Sequence, residues 1–201
     1  MLANVTIADF ARPREQRLAA LYDVIVVLGG SLLIGLSAQI AIGWPVPITG
    51  QTFGVLIVAA ALGSKRGTLC ILTYLLEGLA GLPVFSYGRA GLAVLAGPTG
   101  GYLVGFVGAA YVVGLLAERG WDRRFGTTIA AMALGNVVLH AAGLLWLWCL
   151  LRVFGMQFGG RSIAAVGLYP FVVGDLLKIV LAAILLPSVW KLLKHLGPAG
   201  E

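Results

Sequence analysis

A chain of 201 residues that is 60% hydrophobic and only 11% charged, with a mean hydropathy of +0.98, is too apolar for a soluble domain, where about a quarter of residues carry charge. At ~20 apolar residues per crossing it has room for about six spans and no soluble domain besides. The formal charge of +6 then reads as Lys and Arg arranged around the spans rather than as a surface for nucleic acid. Cys70 and Cys149, both within apolar segments, read as packing residues rather than a disulfide or metal site.

Residues 1–22 hold Arg12, Arg14, Glu15 and Arg17 and no long apolar run, so they are expected to form a cytoplasmic amino-terminal segment. Val24 to Trp44 follows, longer than the ~7–15-residue core of a signal peptide, and is expected to be the first span, about 24–44. Its small residues fall four apart, Ser31 with Gly35 and Ser37 with Ala41. Such faces let a neighbouring backbone approach closely in lipid. Packing within this chain and docking onto a partner membrane protein both fit.

The second span, about 46–63, is long enough only if Val46 to Thr52 lies at membrane depth. Irregular backbone there is tolerated when it lines a cavity, which would turn Thr49, Gln51 and Thr52 inward. An ordinary interfacial loop is the other reading. Lys65 and Arg66 separate it from a third span, about 67–80, which carries Glu77 near its far end, either snorkelling to water or belonging to a site. Gly81 to Gly97 is apolar yet rich in Gly and Pro, and is expected to be a structured cap carrying Tyr87 and Arg89.

The fourth span, about 98–116, has a close-packing stripe of Gly101, Gly105 and Ala109. Gly97-Pro-Thr-Gly-Gly lacks the Gly-Lys-Ser/Thr of a nucleotide loop and leads into a span, which excludes nucleotide binding by this chain. The fifth span, about 127–151, has Asn136 and His140 on one face, with His140 open to a packing or a site role. The sixth, about 168–190, carries Asp175 and Lys178 on one helical face. Each costs about 2.5–3.5 kcal/mol near the bilayer centre, so a pair retained there needs a purpose. The membrane domain is thus expected over residues 23–192, with a cytoplasmic tail over 193–201.

With both termini on one side, that side carries Arg12, Arg14, Arg17, Lys65, Arg66, Arg119, Arg123, Arg124, Lys191 and Lys194, against Arg89, Arg152 and Arg161 on the other. This asymmetry predicts cytoplasmic termini and an extracellular cap between the third and fourth spans of an all-α, six-transmembrane-helix bundle. Gln51, Thr52, Glu77, Thr99, Tyr102 and Asp175 then all fall in the outer half. Polar groups at membrane depth pair or line a pathway, so this set predicts a pocket that captures a small polar-and-apolar ligand from outside. No zinc signature, nucleophile elbow or span-crossing proton ladder occurs. A binding subunit that needs help to release its cargo inward fits better than an enzyme.

Val46-Pro-Ile-Thr-Gly-Gln-Thr-Phe, Gly81-Leu-Pro-Val-Phe-Ser, Gly97-Pro-Thr-Gly-Gly-Tyr-Leu-x-Gly-Phe and Pro170-Phe-x-x-Gly-Asp-Leu-Leu-Lys, four motifs in order, resemble the BioY family over about Val24 to Pro187. These proteins are biotin-specific substrate-binding (S) components of energy-coupling-factor (ECF) transporters. The resemblance implies a multi-pass protein of the bacterial cytoplasmic (inner) membrane that binds biotin, with no cofactor or metal of its own. It implies a transmembrane coupling protein and a pair of cytoplasmic ATPases as partners. It also favours docking at Ser31, Gly35, Ser37 and Ala41. An S component for another vitamin, a self-sufficient porter and an intramembrane enzyme are the alternatives.

For biotin, Asp175 is expected to accept the ureido N–H groups, and Lys178 to pair with Asp175 or donate to the ureido oxygen. Arg89 is expected to meet the carboxylate. Tyr87 and Tyr102 would pack beside the rings, and Gln51 or Thr99 would supply orienting hydrogen bonds. Glu77 and Asn136 complete the expected site.

Overall fold

The computed structural model describes residues 5–196, so the last five residues of the expected tail at 193–201 and the first four of the amino-terminal segment lie outside it. Helix α1 spans Gln16–Ala38, α2 Gln51–Leu79, α3 Leu92–Ala96, α4 Gly100–Glu118, α5 Phe125–Arg152, α6 Ile163–Gly167 and α7 Tyr169–Leu196. Five of the long helical stretches are apolar enough to cross a membrane. A two-stranded antiparallel hairpin, β1 (Ala41–Ile42) and β2 (Ile48–Thr49), joins α1 to α2 and contains the cis Trp44–Pro45 peptide.

Helix α2 is not one straight rod. Gly63 has φ 84° and ψ 179°, a combination open essentially to Gly alone. The chain folds back there, so that a Cβ on Gly67 would sit 2.9 Å from Ala59 Cα. Gln51 Nε2 donates to the Tyr74 hydroxyl at 2.7 Å, although 23 residues of straight helix would hold them ~35 Å apart. The reversal is capped by a carboxylate: Glu118 Oε1 accepts from Ser64 N at 2.7 Å and from Ser64 Oγ at 2.8 Å. The expected second and third spans therefore correspond to the two arms of α2, 51–62 and 64–79.

Around this hairpin, α2 packs on α1 and α4, α4 on α5, and α5 on α7. The stripe of small residues on α4 permits the close α4–α5 approach. A Cβ on Gly101 would meet Trp146 Cβ at 2.1 Å, and one on Gly105 would meet Ala142 Cβ at 2.9 Å. With no hydrophobic drive between helices inside lipid, such close packing holds them together.

The first helix begins eight residues before the expected span and ends six before Trp44. Its polar first turns carry Tyr22 and Asp23 into contacts with the segment ahead of it. That segment is folded rather than trailing, as a 3-10 turn over Ile7–Ala11. Thr6 N and Oγ1 both donate to Asp9 Oδ2 at 2.8 Å. Arg66 pairs with Asp9 and, at 3.3 Å, with Asp23, while Arg12 pairs with Asp23 at 2.7 Å. The Tyr22 hydroxyl donates to Ala8 O, and Arg123 Nη2 donates to Val5 O. Residues 5–12, the Gly63 reversal, Glu118–Arg124 and Trp190 thus gather at one end of the bundle. The β-hairpin, α3 and α6 gather at the other.

The small face of α1 is turned inward, which corrects the expectation of an open docking surface. Ser31 and Gly35 are buried; Ser31 Oγ donates to Glu77 Oε1 at 2.9 Å, and a Cβ on Gly35 would lie 3.3 Å from Val84 Cβ. Ser37 Oγ sits where a Cβ on Gly54 would be, 2.6 Å away, and Ala41 lies in β1, beyond the helix. The exposed face of α1 is instead Leu28, Leu32, Leu33 and Leu36. Small residues mark a close neighbour, and here that neighbour belongs to the same chain.

Candidate ligand-binding site

Between the hairpin end of the bundle and the cap lies a narrow cavity, open at its mouth, with about 30 Å³ accessible to the centres of water-sized molecules. Its walls are drawn from across the fold: Thr49 from β2, Gln51 and Thr52 at the start of α2, Ser86 and Arg89 from the cap, Thr99 and Tyr102 at the start of α4, His140 from α5 and Phe171 from α7.

Three polar wall residues, Gln51, Thr99 and Arg89, are each held by a bond to their own neighbourhood. Gln51 donates to Tyr74, whose hydroxyl in turn donates to Val84 O at 3.2 Å. Thr99 Oγ1 donates to Val94 O at 3.3 Å, tying the start of α4 to α3. Arg89 Nε donates to Ser86 O at 3.0 Å, and a backbone bridge pairs Phe85 with Arg89. The guanidinium is thereby held at the cavity wall by a closed turn of the cap.

Three rings form the apolar side. Tyr102 stacks on Phe171 with centroids 6.0 Å apart, and His140 meets both edge-on, at 5.9 Å and 5.7 Å. Offset and edge-to-face geometries of this kind are the favourable ones for aromatic pairs. Tyr102 is locked in place because its hydroxyl donates to Gly167 O at 2.6 Å and its ring lies against Gly143, where a Cβ would stand 2.3 Å from Cε1.

Behind Thr52 and His140 sits the ion cluster. Asp175, 6% exposed, accepts from Lys178 Nζ at 3.1 Å on Oδ1, and its Oδ2 lies 3.4 Å from His140 Nε2. Lys178 Nζ also donates to Thr52 Oγ1 at 2.7 Å, and the Thr52 hydroxyl donates to Asp175 Oδ1 at 3.5 Å. One cationic and one potentially cationic group around a buried carboxylate, reached through Thr52 and His140, make a polar corner behind the cavity.

The structure brings Gln51, Thr99, Tyr102 and Arg89 to the cavity wall and Asp175 with Lys178 immediately behind it. It separates three other expected residues. Tyr87 is half exposed, with its hydroxyl donating to Gly43 O at 3.0 Å and its ring 5.9 Å from the Arg89 guanidinium carbon. It supports the cap from outside and is not among the cavity walls. Glu77 bonds Ser31 between α1 and the second arm of α2, away from the cavity. Asn136 Nδ2 donates to Met132 O at 3.1 Å, and its backbone carbonyl accepts from His140 Nδ1 at 2.9 Å, so it contacts the site only through His140. His140 and Phe171 are wall residues that the expected site did not contain. The i, i+4 relation of Asn136 and His140, facing a span with a buried Asp, was the available signal.

Comparison with known proteins matches this architecture. The model of the BioY family matches residues 12–195. The chain is 41% identical over 180 residues to the biotin transporter BioY of Rhizobium etli, covering 86% of this chain and 90% of that one. It is 39% identical over 177 residues to the biotin transporter BioY of Thermotoga maritima, covering 87% and 94%. The crystal structure of the S-component for biotin from an ECF-type ABC transporter superposes with a TM-score of 0.70 at 23% identity, covering 89% of this chain and 95% of that one. From residue 12 to residue 195, across the bundle, the cap and the cavity they enclose, this chain belongs to the BioY family.

Proposed function

We infer that this multi-pass membrane protein is a biotin-binding S component of an ECF transporter, a transport subunit and not an enzyme. It captures the vitamin in the cavity beneath the cap and takes part in its uptake, with biotin as cargo and no cofactor of its own. The observation that carries the reading is a carboxylate–ammonium corner lying directly behind one small cavity that an aromatic wall and a cap arginine also line. Biotin presents the complementary groups: a ureido ring with two N–H donors and a carbonyl, an apolar thiophane, and a carboxylate tail.

The finer reading is as follows. The two arms of α2 count as separate spans, giving six crossings of the bacterial cytoplasmic membrane with both termini inside and the cap outside. This is supported by the gathering of Arg12, Lys65, Arg66, Arg119, Arg123 and Arg124 around the loops at one end of the bundle. Asp175 and Lys178 meet the ureido group, with Thr52 relaying between them and the cavity. Tyr102 and Phe171 flank the rings, Arg89 meets the carboxylate, and Gln51 and Thr99 line the path between. A coupling protein and an ATPase pair drive release inward.

Equilibrium binding of labelled biotin to the purified protein, with other vitamins as competitors, tests the function. Unlabelled biotin displaces the label and other vitamins do not; a different vitamin that displaced it better would overturn the substrate. Asp175→Asn should weaken biotin binding by about 30-fold or more, since leaving a buried charge without its partner costs about 2–5 kcal/mol. Near-normal affinity in a folded variant would remove Asp175 from the site.

A further inference from the structure

His140 carries a contact that its neighbours do not explain. Its Nδ1 lies 2.9 Å from Asn136 O. A carbonyl oxygen only accepts, so Nδ1 bears a proton that it donates there. In a neutral imidazole this leaves Nε2 as a bare lone pair. Yet Nε2 faces Asp175 Oδ2 at 3.4 Å, and both atoms are buried with no other hydrogen-bond partner. Two acceptors would then confront each other in a low-dielectric site, each unsatisfied and mutually repelling. A single proton on either atom satisfies both.

From this geometry we propose that His140 and Asp175 hold one proton between them and that His140 is a positioning residue for the ligand corner, keeping Asp175 aimed at the cargo only while that proton is present. The proposal rests on the assignment of this cavity to biotin. Its consequence is electrostatic. The pair is neutral wherever the proton sits, as imidazolium with carboxylate or as imidazole with carboxylic acid. Lys178 is then left as the uncompensated charge of the corner, ready for the ureido oxygen. When the proton is lost, the pair carries −1, cancels Lys178, and places the His140 lone pair against the carboxylate. Tight binding is therefore linked to one proton. The other titratable groups facing this pair are Lys178 on α7 and Tyr102 on α4, with Arg89 across the same cavity. Histidine is the side chain that ordinarily changes charge near neutrality, so binding measured between about pH 5.5 and 8.5 reads this pair.

The chain has two histidines, and the other, His195, is exposed near the end of α7. Nitrogen-15 NMR of histidine-labelled protein in lipid nanodiscs should therefore show one buried imidazole signal, lost in His140→Gln. Its Nδ1 should be protonated, and its Nε2 protonated or strongly hydrogen-bonded at neutral pH. A free lone pair at Nε2 would overturn the proposal. Biotin affinity of the unmodified protein should fall by up to tenfold per pH unit once the pair loses its proton, whereas His140→Gln should bind more weakly but with a flat profile across that range. A variant whose profile runs parallel to that of the unmodified protein would reduce His140 to a packing residue. Should the purified protein bind no biotin at all, the functional reading falls, while the NMR spectrum still decides where the proton is.

Discussion

Asp175 was conspicuous in the sequence because its carboxylate has to be explained inside a span; His140 was not, because a histidine among Leu and Ala is ordinarily packing. The structure makes them one unit, and the residue that reaches the cavity wall is the inconspicuous one. Arg89 is the clearest place to separate charge from shape. Its guanidinium is the cap's contribution to the cavity, fixed by Ser86 O and the Phe85–Arg89 bridge. Charge-assisted hydrogen bonds contribute about 1.5–3 kcal/mol. Arg89→Ala should therefore weaken biotin by roughly 10- to 100-fold and biotin amide, which has no tail charge, by little. Competition binding with the two ligands measures the difference, and equal losses for both would mean that Arg89 serves the cap rather than the carboxylate. Glu77 marks the limit of reading at this scale. Its depth in the bilayer was legible from its position in the apolar run, but its azimuth was not, and it faces Ser31 on α1 instead of the cavity.

Among the elements, the α2 reversal and the Tyr102 seat are the most exacting. Gly63 combines a backbone conformation closed to side chains with crowding, since a Cβ there would lie 2.7 Å from Glu118 Oε1 and 2.9 Å from Thr6 Cγ2. The strain alone is worth about 1–3 kcal/mol, so Gly63→Ala should lower the melting temperature in detergent by several degrees. An unchanged transition would show that the two arms do not depend on that turn. Gly143→Ala acts nearer the cavity. The added methyl would overlap the Tyr102 ring, which is pinned at its far end by Gly167 O. Overpacking of this kind costs about 1–3 kcal/mol. Displacement of Tyr102 from the cavity wall should weaken biotin by about tenfold or more while leaving the fold intact, as a binding isotherm beside a melting curve would report. The two-arm nature of α2 could be anticipated from Lys65-Arg66 breaking the apolar run. The end of α1 at Ala38 could not, because the β-hairpin that replaces its expected last turn is set by pairing Ala41 with Thr49 across the loop, a contact with no local signature.

For the whole molecule, the charged end and the cavity end are chemically distinct, and the former titrates. Asp122, in the 3-10 turn Trp121–Arg123, is pushed up to about 6 by burial, despite accepting from Trp190 Nε1 at 2.5 Å. A carboxyl group whose folded value lies above its unfolded value adds stability below the unfolded value and loses it as pH rises through the folded one. Stability should therefore decline from about pH 4 to 6 through this group, and Asp122→Asn should remove that part of the decline. Thermal unfolding of both proteins across the window measures it, and superimposable profiles would mean that Asp122 does not titrate there. How much of the molecule could be read beforehand follows from the same division. Apolar runs, punctuating basic residues and polar groups at span ends are one-dimensional signals, and they pointed to the apolar helices, the cap and six cavity residues: Thr49, Gln51, Thr52, Arg89, Thr99 and Tyr102. Which face of α1 is covered, and which neighbour completes Asp175, depend on how the helices rotate against each other. No spacing along one helix encodes that.

The folded segment over residues 5–12 has a practical corollary. Asp9 and Val5 O are among the partners that hold Arg66 and Arg123, and Phe10 lies edge-on to Trp190 with centroids 5.4 Å apart. Thr6 lies close against the turn at Gly63. Trimming the protein back to its first apolar residue, a natural choice when designing a shorter version for crystallisation, would strip away the clamp that joins both arms of α2, the α4–α5 turn and the end of α7. The segment ahead of the first apolar run is part of the fold.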